Sequence, residues 1–516
     1  MNEVVLSGTR APLTDLEAVY AGRATIRIDC DSRNIVDASS AVVCAAAERD
    51  EPVYGVNTGF GKLASVRVER EDTERLQRNL ILSHCAGIGA LAEPRIVRLM
   101  MVLKLLSFLR GGSGVRWELV RLLESLVKKD VIPVVPSQGS VGASGDLVPL
   151  AHMSAVLVGE GQAISQGRRM KGRDALESAG LEPITLGPKE GLALINGTQF
   201  SNALALAALF DAWQVLRSSI VTAALTTDAV MGSTTHLNPE THRLRGHAGQ
   251  IEIAATSRKL LEGSEIRESH RIDDSRVQDP YCVRCQPQVT GAALDLMRFV
   301  ARILLIETNA VTDNPIVLVE QNEIVSGGNF HGEPVAFAAD LLAIAIAETG
   351  AISQRRVAVL VDPSMSYGLP PFLAADPGLN SGFMAAEIAA ASLMSENRHL
   401  ANPCSTDSTP TSANQEDHVA MSAHGAFRLS RMIANLVGIV AVEAMCAAQG
   451  IEGRAPLRTS RPLEQAVKLL REHVSPVKRD RELASDIDAV SRLVRSGELH
   501  RATGYDILPL DESGLP

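Results

Sequence analysis

Residues Glu333 to Leu360 read EPVAFAADLLAIAIAETGAISQRRVAVL, and Met432 to Gly450 read MIANLVGIVAVEAMCAAQG. Both are apolar enough to suggest a membrane span. Asp340 and Glu348 interrupt the first, however, and Asn435 and Glu443 the second, and such groups are costly in lipid. A soluble helix that is apolar nearly all round is buried on most sides, so these stretches predict a central helix bundle or a subunit interface. The same period recurs elsewhere. Val115, Leu119, Leu122, Leu123 and Leu126 form one helical stripe, and Leu463, Ala466, Val467 and Leu470 another.

Strand signals are local. Thr25 to Asp29 alternates, and Ile316 to Val319 followed by Glu323 to Val325 reads as a hairpin turning at Gln321 and Asn322. The expected fold is mainly α, a long central helix bundle with a smaller mixed N-terminal domain. Pro94 and the break Gly111-Gly112-Ser113-Gly114 divide it into an N-terminal domain, 1–110, and a mainly helical domain, 111–516.

Composition narrows the function. The 516 residues carry 50 Lys plus Arg against 60 Asp plus Glu, a net charge of -10, with 3% aromatic residues. Neither the sign nor the stacking platforms suit nucleic acid. The first twenty residues hold no continuous apolar stretch of signal-peptide length. Seven cysteines, odd in number and thinly spread, fit free thiols in a reducing cytoplasm. Cys282 and Cys285 form a Cys-x-x-Cys with no second pair at zinc spacing, so they read as packing residues and no metal is expected.

Several motifs fail on context. Gly59-Phe60-Gly61-Lys62-Leu63-Ala64 lacks the strand, helix and acidic residue of a dinucleotide site, and Leu63 cannot supply the hydroxyl of a P-loop. Gly142-Ala143-Ser144-Gly145 has Asp146 where a nucleophile elbow requires Gly. The segment SQGSVGASGDLVPL (Ser137 to Leu150) remains, rich in small residues and leading into an apolar helix. In a tight turn the Gly145 nitrogen can attack the Ala143 carbonyl carbon, since glycine presents no Cβ. Loss of water from that ring, and of the Ser144 hydroxyl as a second water, leaves a methylidene-imidazolone, an electrophile built without any external cofactor. The triplet alone reads better as an ordinary Gly/Ser turn capping the helix.

That triplet within GSVGASGDLVPLAHM resembles the prosthetic-group loop of the aromatic amino acid ammonia-lyases. The resemblance continues through YGVNTGFG (Tyr54 to Gly61), LSHCAGIG (Leu82 to Gly89), LINGTQ (Leu194 to Gln199), VQDPYCVRCQPQ (Val277 to Gln288), SGGNFHGEP (Ser326 to Pro334) and TSANQEDHVA (Thr411 to Ala420). It implies a helical architecture shared with fumarase and aspartase, a cytoplasmic homotetramer whose sites draw on several subunits, and a methylidene-imidazolone made from Ala143, Ser144 and Gly145. The branch acting on histidine matches best, which implies non-oxidative deamination of L-histidine to trans-urocanate and ammonia in histidine degradation.

The same resemblance assigns the residues. Tyr54 matches the base that takes the β proton, with Tyr281 the alternative base or hydrogen-bond partner. Arg284 matches the grip on the substrate carboxylate, a task that suits a planar guanidinium. Asn196 and Gln278 match amides that orient substrate and prosthetic ring, and Phe330 an aromatic flanking that ring. His84 and Glu416 carry substrate choice: a carboxylate accepts from an imidazole N–H, and phenylalanine would leave it unsatisfied. Met384 fits the pocket lining, while His152, His331 and His418 read as structural.

An aminomutase, or an ammonia-lyase for another aromatic amino acid, is the nearest competitor. A fumarase-like lyase and an inactive scaffold stand further off. A tryptic peptide spanning Ser144 separates these readings: it is lighter by two waters for the ammonia-lyase and aminomutase, and of unaltered mass for the other two.

Overall fold

The computed structural model describes residues 2–49, 51–272, 274 and 276–510. Four long helices form its centre: α1 (Gln199–Ala229), α2 (Gln286–Thr308), α3 (Glu333–Val361) and α4 (Ser422–Glu452). α4 packs against α1 and α3, and α2 against α3. Both stretches quoted at the outset lie in this bundle, as expected, in α3 and α4. The third apolar helix, α1, was not singled out. Some of its hydroxyls are turned back onto its own carbonyls, Thr227 Oγ1 to Ala223 O at 2.8 Å and Ser219 Oγ to Leu216 O at 2.8 Å, so these sit in a core without needing a partner helix.

By length and composition α1, α3 and α4 could each cross a membrane, yet 89%, 67% and 83% of their most apolar windows are buried inside the protein. The interrupting polar groups explain the arrangement. Glu443 on α4, fully buried, accepts from Arg356 Nε and Nη2 on α3, from Ser353 Oγ on α3 at 2.6 Å and from Thr226 Oγ1 on α1 at 2.9 Å. Asp340 on α3 takes Arg428 of α4 together with the Ser405 backbone and hydroxyl. Asn435 donates to Asn397 and Glu396 at 2.9 Å each, and Glu348 is exposed. Asp340, Asn435 and Glu443 tie helix to helix rather than break an apolar face, and Glu348 faces outward.

The smaller sheets surround the bundle. Asn2–Leu6 pairs in parallel with Ala24–Ile28, and Ile316–Leu318 forms the expected hairpin with Glu323–Val325. The expected stripes lie on Trp117–Lys128 and Arg461–His473, with Leu119, Leu123, Leu126, Leu463, Ala466 and Leu470 buried. Pro94 opens the helix Pro94–Phe108, where its missing N–H costs nothing. Within Thr73–His84, buried Gln77 donates to Gly55 O and accepts from the Gly191 and Leu192 amides. It thereby fixes the Tyr54 segment and the helix Glu190–Ile195 to one another.

Replacing Arg356 by Met leaves Glu443 charged and buried with hydroxyl partners alone, and destabilises the fold by about 3–5 kcal/mol. Denaturant unfolding measures it. The double variant Arg356→Met/Glu443→Leu recovers most of that loss, and equal instability of the two would refute the account.

Candidate active site

The segment Val141 to Asp146 lies where four helices begin. Leu147–Leu157 follows it directly. Ahead of α4, Met421 N donates to Val141 O at 2.8 Å; ahead of α3, Gly332 N reaches Gly142 O at 3.5 Å; ahead of α1, Gly197 O accepts from Asp146 N at 2.7 Å. Helix N-termini carry unpaired amides and partial positive charge, which favours negative charge at this point.

Gly145 and Gly197 form an isolated parallel bridge. Gly145 has φ +70°, and a Cβ there would lie 2.2 Å from Gly197 O. Glycine is the residue that tolerates both conditions. The carboxylate of Asp146 accepts from Ser201 N (2.7 Å), Ser201 Oγ (2.8 Å) and Ser140 Oγ (2.9 Å). Burial pushes its pKa up, against those hydrogen bonds.

Ser144 Oγ donates to Glu416 Oε1 at 2.8 Å, and Ser144 O accepts from Asn196 Nδ2 at 3.2 Å. The second Glu416 oxygen accepts from Thr411 Oγ1 at 2.7 Å. Thr411 and Glu416 also pair through their backbones, across a turn in which Ser412, Ala413 and Asn414 have φ of 50°, 53° and 65°. Three successive non-glycine residues in the left-handed region are strained, and here they aim the carboxylate.

These residues surround a cavity of about 270 Å³ lined by Tyr54, Phe60, His84, Ser144, Leu147, Leu192, Asn196 and Glu416, with Lys62 at the same wall. Tyr54 accepts from Gly61 N at 3.2 Å and stands edge-on to Phe60, centroids 6.5 Å apart. His84 Nδ1 is 2.8 Å from Leu80 O. A carbonyl only accepts, so Nδ1 carries a hydrogen.

Five expected residues, Tyr54, His84, Ser144, Asn196 and Glu416, therefore meet at one cavity within a single chain. Gln278, Tyr281, Arg284, Phe330 and Met384 do not line it. Tyr281 is 71% exposed and lies under the Arg284 guanidinium, 4.6 Å from its ring centroid. Arg284 Nε, Gln286 Nε2 and Gln288 Oε1 are buried atoms without a hydrogen-bond partner among the described residues. Phe330 lies two residues before Gly332, and Met384 opens the helix Met384–Leu400. Of the three histidines, His152 Nε2 accepts from Gly87 N at 3.0 Å, and His331 stacks on His418 with centroids 5.9 Å apart. Among the described residues no cluster of His, Cys, Asp and Glu could hold a metal.

Sequence reasoning missed Thr411, Gln77 and Lys104, whose Nζ donates to Asn196 O at 2.6 Å. A lysine inside MMVLKLLSF (Met100 to Phe108), apolar on both sides, was the one available signal; the other two act through distant contacts with no local pattern.

Residues 12–472 match the family model described as aromatic amino acid lyase. A histidine ammonia-lyase of Roseobacter denitrificans is 59% identical over 496 residues, 96% of this chain and 97% of that protein. The structure of histidine ammonia-lyase from Trypanosoma cruzi is similar with a TM-score of 0.90 at 38% identity, covering 98% of this chain and 96% of that one. A tyrosine aminomutase of Streptomyces globisporus is similar with a TM-score of 0.92 at 34% identity, covering 97% and 98%.

Gly145→Ala forces the Gly145–Gly197 contact apart. The variant loses about 2–4 kcal/mol, from overpacking together with left-handed strain. Denaturant unfolding checks it, and wild-type stability would refute the contact's importance.

Proposed function

The chain belongs to the aromatic amino acid lyase family, and on that premise we propose that it removes ammonia from L-histidine and leaves trans-urocanate. The observation that carries the reading is the joint placement of Glu416, His84 and Ser144 on one cavity. The Glu416 carboxylate is an acceptor suited to an imidazole N–H, and His84 lines the same cavity as a second ring-nitrogen partner. Phenylalanine offers no such donor and would leave the carboxylate unpaired.

The residues fit the methylidene-imidazolone. The backbone contact at Gly145 is too close for any side chain, and the Ser144 hydroxyl has an acceptor in Glu416. Built from Ala143, Ser144 and Gly145, the group supplies an electrophilic carbon beside the substrate. Asn196 donates to the Ser144 oxygen, and its own Oδ1, buried without a partner among the described residues, is open to the substrate ammonium. Tyr54 takes the β proton; an ordinary phenol pKa lies near ~10, so its oxygen relies on donors such as the Gly61 amide.

Arg284 is assigned to the substrate carboxylate, with Gln278, Tyr281, Phe330 and Met384 completing the site from other copies of the chain in a homotetramer. Support comes from the exposure of Tyr281, the unpartnered Arg284 Nε, and the outward apolar side chains Val277, Phe337, Ile344 and Ile388. An aminomutase is the second reading, favoured by the TM-score of 0.92 to the tyrosine enzyme; it retains ammonia through loop closure.

Purified protein mixed with L-histidine produces the urocanate absorption band with equimolar ammonia. Absence of both from a folded oligomer would sink the lyase reading. Ser144→Ala abolishes turnover while the fold persists. Glu416→Gln narrows the preference for histidine over phenylalanine, on the order of a hundredfold, and an unchanged ratio of kcat/KM values would remove Glu416 from the account.

A further inference from the structure

Lys104 stands in the middle of Pro94–Phe108 with 1% of its surface exposed. Its Nζ donates to Asn196 O at 2.6 Å and Gln199 Oε1 at 3.3 Å, and lies 5.3 Å from the Phe108 ring centroid. None of these partners is charged. Of the charged groups acting on it, Asp313 and Asp146 favour the ammonium and Lys189 opposes it. Asp313 is itself engaged by Lys189, at 2.8 Å. Burial pushes the Lys104 pKa down to about 7. An ammonium held in the interior by neutral oxygens is costly, and an apolar side chain of similar length would pack there without that cost.

The two hydrogen bonds bracket the turn on which the Ser144 oxygen depends. Asn196 carries the carboxamide that meets Ser144 O, Gly197 O receives the Asp146 amide, and Gln199 opens α1 while its Nε2 donates to Thr312 Oγ1 at 3.0 Å. A freely rotating Asn196–Gly197 peptide would move all three.

Building on the lyase reading, we propose that Lys104 is a positioning residue: its ammonium pins the Asn196–Gly197 peptide, so that the Asn196 carboxamide stays on the Ser144 carbonyl oxygen during closure of residues 143–145 and during turnover. The charge matters as well as the reach. A cation behind Asn196 favours negative charge on the oxygen in front of it.

The test compares wild type, Lys104→Arg and Lys104→Met by the mass of the tryptic peptide 130–168, by kcat and KM, and by the pH profile of kcat. Wild type and Lys104→Arg lack two waters in that peptide. Lys104→Met keeps both in most chains, and its matured fraction turns over about 10–100-fold more slowly with KM within about twofold. As pH rises through about 7, Lys104 loses its proton, so kcat of the wild type declines on the alkaline side. Lys104→Arg, which keeps its charge, shifts that decline upward. A folded, fully matured Lys104→Met with wild-type kcat overturns the proposal. Should that variant not fold, superimposable pH profiles of wild type and Lys104→Arg overturn it instead. A wild-type peptide that keeps both waters overturns the lyase reading itself, whereas a mature wild type beside an unaffected Lys104→Met overturns the role of Lys104 alone.

Discussion

Gly145 and Gly197 meet backbone to backbone, and a Cβ on either would fall 2.5 Å or less from its nearest neighbour. The contact brings Asp146 N to Gly197 O and the Asn196 carboxamide to Ser144 O. It also connects the loop to the bundle, because α1 begins two residues after Gly197 and runs for 31 residues into the core. Near its far end Thr226 reaches Glu443, the carboxylate that α3 holds through Arg356 and Ser353. The position of the loop 141–146 is thus referred to a rigid helix whose register is set at a buried ion pair. A loop anchored by exposed side chains would lack that reference, and on the lyase reading closure of residues 143–145 tolerates little positional error.

The electrostatics of the loop follow from the same geometry. Four helices begin beside residues 141–147, at Leu147, Gln199, Glu333 and Ser422, each presenting roughly half a positive charge at its N-terminus. Asp146 sits among these amides with three donors, which oppose the effect of its burial. Lys104, when protonated, adds a further positive charge beneath Asn196. Positive potential fixed in a dry interior costs no reorganisation when negative charge develops on a nearby oxygen. The fold therefore does electrostatic work at Ser144 with helix ends and buried groups, before any substrate arrives.

The sequence made some of this legible for identifiable reasons. α3 and α4 could be read because their apolar composition was interrupted by Asp340, Asn435 and Glu443, which argued against lipid and for protein on all sides. Their partners Arg428 and Arg356 lie on other helices, so the cross-links themselves were invisible. α1 escaped notice because Ser and Thr dilute its apolar character while bonding to their own helix. At the site, Tyr54, His84, Ser144, Asn196 and Glu416 came from separated blocks whose resemblance to one family is specific. Thr411, Gln77 and Lys104 act by contacts between distant segments, and such roles leave no local spacing to read.

On the lyase reading, the surroundings of Glu416 decide selectivity. Its two oxygens are held by Ser144 and Thr411 hydroxyls, and the turn behind it spends three residues in the left-handed region. Once Ser144 has lost its hydroxyl, as the lyase reading requires, Oε1 loses that donor and faces a cavity lined by Phe60, Leu147 and Leu192 together with Tyr54, Lys62 and His84. An unpaired carboxylate there is destabilised, and water is a poor remedy in a cavity filled by an aromatic substrate. A ring bearing N–H restores the lost hydrogen bond, and a phenyl ring cannot. Discrimination then comes from the cost imposed on the wrong substrate as much as from attraction to the right one.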